Sequence, residues 1–271
     1  MTTTTALPPL YAGHAGGDPR VAFAEARAVI EHAILHHPRT LQTEIGPSEL
    51  GGCEHCVAAR LAGLEQTDDG IPWLPTIGTA VHAWIEAAFI EHENNRGAQH
   101  TTGLRYLTEV EVLVGHIAGR PIHGKADLVD VVVGMTTDWK IVGATTLRSA
   151  KAGPSDQYRT QQHLYAKGLN DAGIRIDHVS IAYLPRNAVS LDAAVWWVEP
   201  YQPEIATAAL DRANRLAANI QALRDGAGEA ALLAWIAALP REDGCRDCAR
   251  WADAPPSSRT RSLTAEFVGG G

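Results

Sequence analysis

Apolar residues recur every three to four positions through DPRVAFAEARAVIEHAILHH (18–37) and IGTAVHAWIEAAFIEHE (77–93), which lines them up on one face of a helix. Asp18 followed by Pro19 marks the start of the first helix, and Thr76 is placed to cap the second. Another helix is expected to begin near Gly51 and run through CVAARLAGL. The period then changes. LRYLTEVEVLVG (104–115), PIHGKADLVDVVVG (121–134) and TTDWKIVG (136–143) are rich in β-branched residues and broken by glycine, which predicts three successive strands. A helix over Ser155–Ala172, strands at HVSIAYLP and AAVWWVE, and helices from Pro203 to about Leu239 follow. The expected fold class is α/β, a central mixed sheet flanked by helices.

Within TTDWKIVG, alternation puts Asp138 and Lys140 on one face of the strand and Trp139 and Ile141 on the other. An acid and a lysine among apolar neighbours gain little stability from their attraction, because desolvating both offsets it. Chemistry is the more economical reason for the pair. A second acid, Asp127, lies in HGKADLVD on the preceding strand. Two carboxylates on neighbouring strands suit a hard divalent cation, and an adjacent ammonium can orient a water and stabilise charge developing on a phosphate. A simple hairpin centred on Gly134 would pair Asp127 nearer Val142 than Asp138, so the strands must bend or splay to join the acids. Glu109 and Glu111 share a strand face and could add a further acid, with a plain strand surface as the default expectation.

Composition narrows the setting. The 271 residues are 45% hydrophobic with a net charge of -8, enough for a sizeable core and too acidic for a general nucleic-acid coat. The basic residues Arg105, Lys125, Lys140, Arg148, Lys151, Arg159, Lys167 and Arg175 fall in or beside the strand-rich centre, where phosphate contacts would concentrate. No apolar run is long enough to span a membrane, and the N-terminal segment lacks a signal-peptide pattern, so a cytoplasmic protein without membrane partners is expected. Residues 1–18 read as a flexible arm, 19–251 as a single domain, and 252–271 as a flexible tail. The four cysteines form two pairs, Cys53 with Cys56 and Cys245 with Cys248. In a cytosolic chain that pattern predicts one shared metal centre; four thiolates suit zinc or an iron–sulfur cluster, and paired spacing alone favours zinc.

The order Asp, about ten residues, then Asp-x-Lys resembles the PD-(D/E)XK nuclease superfamily, with Ala126 where the eponymous proline would stand. GTAVHAWIE resembles the G-x-x-x-H-x-x-x-E segment of its RecB-like branch, and QQHLYAKGL the Q-x-x-x-Y motif. SELGGCEHCVAARLAGL resembles the segment near the start of iron–sulfur RecB-like exonucleases, including AddB-type and CRISPR-associated members. Those relatives commonly place one cysteine before the nuclease core and three after it; here the division is two and two.

The resemblance implies a restriction-endonuclease-like core with a cysteine-clasped helical addition. It implies a magnesium- or manganese-dependent DNA exonuclease that prefers single-stranded ends. His82, Asp127, Asp138 and the Trp139 carbonyl would hold the cation, and Lys140 would assist water. Gln161, Tyr165 and Arg60 would contact DNA, and the four cysteines would hold a four-iron cluster. Taken alone, His82 would more often be a packed core histidine, and Glu86 is as readily a polar-face residue as a supporting acid. The alternative is a catalytically silent DNA-binding or assembly subunit that keeps the fold and a structural metal.

Overall fold

The computed structural model describes residues 19–37, 44–67, 70–97 and 103–251. The expected N-terminal arm and C-terminal tail lie outside them. Two compact units are distinguished, one of residues 1–42 and 71–73, the other of residues 43–70 and 74–271. In the first, helix α1 (Pro19–Leu35) carries an Arg27–Glu31 ion pair one turn apart. The rest of the description concerns the second unit.

Its sheet has five strands in the order β1 (Tyr106–Ile117), β2 (Arg120–Asp130), β3 (Met135–Val142), β4 (His178–Pro185) and β5 (Val195–Pro200). β1, β2 and β3 form an antiparallel meander, β4 runs parallel to β3, and β5 is antiparallel to β4. The parallel step requires a crossover. Helices α5 (Ala144–Ala150) and α6 (Asp156–Asp171) supply it, the first of them not foreseen from the sequence. Ser155 caps α6 by accepting from the Tyr158 amide.

Each face of the sheet is covered by helix. Val112, Val114, Ala126 and Val129 pack with Leu164, Tyr165 and Leu169 of α6 and with Leu210 and Leu216 of α7 (Pro203–Gly226). On the other face, Leu128, Trp139, Ala182 and Leu184 meet Val81, Ile85 and Phe89, successive four-residue steps along α4 (Trp73–Gly97). α4 begins before Thr76, which therefore lies in its first turn rather than capping it. Pro75 is tolerated there because first-turn amides have no helical partner in any case.

Short helices α2 (Pro47–Leu50) and α3 (Glu54–Leu61) precede α4, and α8 (Glu229–Ala238) follows α7. α3 and α8 share the core with Trp251, and a bridge between Gln66 and Trp251 joins the two ends of this layer. Arg212 donates to the carbonyls of Leu50 and Gly52, and Arg224 to that of Ala62. These arginines satisfy carbonyls that helix ends otherwise leave without partners.

Candidate active site and metal centre

The turn between β2 and β3 decides where the acids fall. Asp130 organises it by accepting from the amides of Val132 and Val133, while Arg105 holds the same carboxylate through two guanidinium nitrogens. Gly134 closes the turn at φ +69°, a region open to glycine at little cost. The resulting register is Asp130 with Met135, Val129 with Thr136 and Leu128 with Thr137. One further step in that register puts Asp127 across from Asp138. The expectation of a turn centred on Gly134, with Asp127 nearer Val142, is thus corrected: Asp130 and not Gly134 sets the phase.

Regular pairing stops after Leu128 and Thr137, and the strands splay. At the opening the Asp127 side chain replaces the lost ladder bond, its Oδ2 accepting from the Trp139 amide at 2.9 Å. The same oxygen is 3.4 Å from His82 Nδ1, and His82 Nε2 donates to the Trp139 carbonyl at 2.8 Å. His82 is thus no mere core histidine: it reaches from α4 to both groups expected to share a cation with it. Burial alone would pull its pKa down, but Asp127 and Asp138 outweigh burial and hold it above the ordinary value. In a cation-free site a protonated imidazole meets the same acceptors that a cation would.

Asp138 lies on the α6 side and is almost fully buried. Its Oδ2 is 2.8 Å from Lys140 Nζ, yet the ammonium lies off hydrogen-bond direction and Oδ2 has no directed partner. Gln161 supplies the order. Its Nε2 donates to Asp138 Oδ1 at 3.1 Å and to the Tyr165 hydroxyl at 3.1 Å, while its Oε1 accepts from Lys140 Nζ at 3.0 Å. Only one amide orientation works, since the reverse would set oxygen against carboxylate and NH2 against ammonium. Lys140 Nζ also sits 4.4 Å over the Tyr158 ring. Burial, opposed by Lys140 and reinforced by Asp127, raises the Asp138 pKa to about 6.

Gln161 and Tyr165, expected to touch DNA, are buried, with Gln161 bonded to the acid–lysine pair and Tyr165 to Gln161. Gly124 permits this, for a Cβ there would meet Tyr165 Cε1 at 2.6 Å and Pro47 Cγ at 2.7 Å. Arg60, the third expected contact, pairs with Glu49 at 2.7 Å and lies over the Trp251 ring. Its contacts belong to the helical layer around α3.

Of Glu109 and Glu111, either of which could have added an acid, the structure brings Glu109 to the site. It stands at φ +49° on β1, between the pairs Thr108–Leu128 and Val110–Ala126, and so across from Asp127. Ligand atoms of His82, Glu109 and Asp127 all lie within 4.8 Å of one another. Burial, then Asp127, raises the Glu109 pKa. Backbone in that region is unfavourable for a glutamate and concentrates at functional sites. Glu111 does not join: its nearest partner is His123, at 3.8 Å on the exposed side. Glu86, one turn beyond His82, contributes only a field at Glu109.

Six of the eight expected phosphate-binding cations are engaged by acids: Arg105 by Asp130, Lys125 by Glu109, Lys140 by Asp138, Arg159 by Glu199, Lys167 by Asp171 and Arg175 by Asp177. Arg148 and Lys151, in and just after α5, are exposed. Of the paired tryptophans, Trp197 packs inward, while exposed Trp196 meets Trp139 edge-on.

The cysteine sulfurs come together between α3 and the segment after α8. Cys53 Sγ lies 3.4 Å from Cys56 and 3.3 Å from Cys248, and Cys56 Sγ lies 3.5 Å from Cys248 and 3.8 Å from Cys245. His55, unmarked in the sequence, joins them, and Cys53, His55, Cys56 and Cys248 form a group that could hold a metal ion. Hydrogen bonding with Cys56 pulls the Cys53 thiol down to about 4, whereas burial pushes Cys248 up to about 12. Four sulfurs this close cannot all ionise without a cation among them.

A mixed sheet flanked by helices, with an acid pair, a lysine and a histidine at the splay between two strands and a cysteine cluster between two segments, defines an α/β protein with two groups of side chains that could hold a metal ion. No protein-family model matches the chain, and no curated protein matches it in sequence. Among solved structures, the crystal structure of SSO0001 is 16% identical over 76% of this chain and 88% of that chain, with a TM-score of 0.41. An alkaline exonuclease (LHK-Exo) from Laribacter hongkongensis is 8% identical over 68% and 90% of the two chains, with a TM-score of 0.39. LHK-Exo in complex with dAMP is 14% identical over 67% and 95%, with a TM-score of 0.35. Similarity at this level identifies neither activity nor substrate. Among the described residues no helix is long and apolar enough to cross a membrane.

Proposed function

We propose that the chain is a divalent-metal-dependent deoxyribonuclease acting from DNA ends, with single strands preferred. The observation that carries this reading is the convergence at the β2–β3 splay: Asp127 and His82 on one side, the buried Asp138–Lys140 pair on the other. His82, Asp127, Asp138 and the Trp139 carbonyl, joined by Glu109, would hold magnesium or manganese; their oxygens match the preference of these hard ions. A cation bound there would polarise a phosphate oxygen as a Lewis acid.

The chain's own groups do the rest. Lys140 Nζ, held by Gln161, orients a water so that its oxygen attacks phosphorus as the bond to the leaving sugar oxygen breaks, the water giving up one proton and the leaving oxygen taking one up. The ammonium also faces the negative charge that develops. Exposed Arg148 and Lys151 would take phosphates, giving binding that weakens as salt rises. Preference for ends and for single strands rests on the motif resemblance.

The test is digestion of end-labelled linear and closed circular DNA, single- and double-stranded, with magnesium or manganese. Shortening from the labelled ends, absent in Asp138→Ala, supports the reading. Circles cut as fast as linear strands would make it an endonuclease. DNA binding without cleavage in either metal would leave a silent DNA-binding subunit.

A further inference from the structure

We propose that Cys53, Cys56, Cys245 and Cys248 hold a single tetrahedral ion of the zinc class, and that His55 is a hydrogen-bond donor to the Cys56 thiolate rather than a ligand.

Spacing gives the first half. Around one zinc ion with Zn–S bonds of about 2.3 Å, tetrahedrally disposed sulfurs stand about 3.8 Å apart. In a four-iron cluster each cysteine sulfur projects outward from a corner of the cube, which sets those sulfurs roughly 6 Å apart. The separations here are 3.3, 3.4, 3.5 and 3.8 Å. The four-iron cluster implied by the family resemblance therefore does not fit. Seating it would require the first pair, at the start of α3, to move apart from the second pair on the segment after α8. Bridge and amide bonds from Gln66 and Thr67 to Trp251 and Arg250 hold these segments together.

Hydrogen bonding gives the second half. His55 is fully buried, with Nδ1 4.0 Å from Cys56 Sγ and Nε2 3.0 Å from an Arg241 guanidinium nitrogen. A guanidinium nitrogen can only donate, so Nε2 is the accepting nitrogen and the ring hydrogen is on Nδ1, facing sulfur. A nitrogen carrying that hydrogen has no lone pair for a metal. Cys245, 3.8 Å from Cys56, is then the fourth ligand. Arg241 is itself fixed by donating to the Ala237 carbonyl at the end of α8. The chain Ala237–Arg241–His55–Cys56 thus sets the hydrogen that faces the thiolate, as outer groups do around other metal sites.

The full chain should be purified without oxygen from cells supplied with both iron and zinc, and its metal and sulfide measured. Colourless protein with one zinc and no inorganic sulfide is expected. Exchanged for cobalt(II), the centre should show the visible bands of tetrahedral all-sulfur coordination. His55→Asn, which keeps a donor near the position of Nδ1, should retain those bands and the wild-type affinity. His55→Ala should retain the band positions but lower affinity about 10–100-fold. Cys245→Ala should shift the bands. Brown protein with iron and sulfide in equal amounts, or no bound metal, would overturn the single-ion site. Bands that move in both His55 variants and stay put in Cys245→Ala would overturn the ligand assignment. Asp138→Ala should leave metal content at the cysteines unchanged, which separates failure here from failure of the nuclease reading.

Discussion

The splay between β2 and β3 and the clasp between α3 and the 245–248 segment both gather groups far apart in sequence, but they are built on opposite terms. At the splay, oxygen and nitrogen donors sit on strands whose positions the sheet already fixes, and one acid is left buried with an oxygen lacking a directed partner. At the clasp, sulfur donors sit where two segments meet that share little else than Trp251, a bridge and two arginines. The first uses the fold to hold an unfavourable arrangement; the second, with the proposed ion bound, would use its ligands to hold the fold. Side-chain removal should accordingly affect activity at one and stability at the other.

The largest effect is expected at the clasp. Structural zinc binding in small domains contributes about 10–16 kcal/mol of apparent free energy, so losing a ligand should cost several kcal/mol even in a domain this size. Cys248→Ala should lower the thermal midpoint by many degrees and release the bound metal, with strong chelators doing the same to the wild type. Calorimetry with metal analysis checks this. An unchanged midpoint would make the cysteines incidental to the fold.

At the splay the sign of the contrast reverses. Lys140→Ala and Asp127→Asn should each reduce DNA cleavage about 100- to 1,000-fold, the cost of removing one preorganised electrostatic group at a reacting centre. Their melting midpoints should stay close to wild type. A variant that lost cleavage and cooperative unfolding together would erase the distinction between the two regions.

What could be read in the sequence follows from how local the signal is. Period and punctuation located all five strands and the α6 boundaries, because alternation and a serine cap are properties of neighbouring residues. The register of β2 with β3, which sets Asp127 and Asp138 beside the splay, was hidden because it depends on Asp130 organising its own turn, a choice among competing turn geometries. The surroundings of Gln161 and Tyr165 were hidden for a related reason. The two share a helix face whether or not that face meets the sheet, and the close approach of Tyr165 at Gly124 is not written in either residue's neighbours. Glu109 carried only a weak signal, shared with Glu111, because its place depends on a residue held at positive φ; His55 carried none, since its place depends on an arginine 186 positions away.

Gln161 offers a finer cut. Gln161→Leu keeps most of the volume but removes the amide that bonds Asp138, Lys140 and Tyr165 at once. Cleavage should fall about 10–100-fold, the usual loss when a group orienting a metal site is removed. Gln161→Glu should be worse than Leu above the pKa of the new acid, because it sets a carboxylate beside Asp138. A drop in DNA affinity with unchanged turnover would instead return Gln161 to the DNA-contact role.

The smallest expected effect concerns proton linkage at Asp138. With its pKa raised to about 6 in the fold, against about 3.9 for an unperturbed aspartate, the folded chain binds a proton here that the unfolded chain has released between those values. Stability from this group is therefore fully present below about pH 4, declines as pH rises, and is lost once pH passes about 6. Asp138→Asn cannot ionise and escapes that decline. In metal-free buffer the variant's stability relative to wild type should rise between about pH 4 and 6 and then level, by no more than about 3 kcal/mol. Comparing the two proteins in urea at a series of pH values cancels every other titrating group they share. Added manganese should narrow the gap above pH 6, because a cation favours the ionised acid. A gap that is flat with pH would mean that Lys140 already stabilises the carboxylate as well as water does.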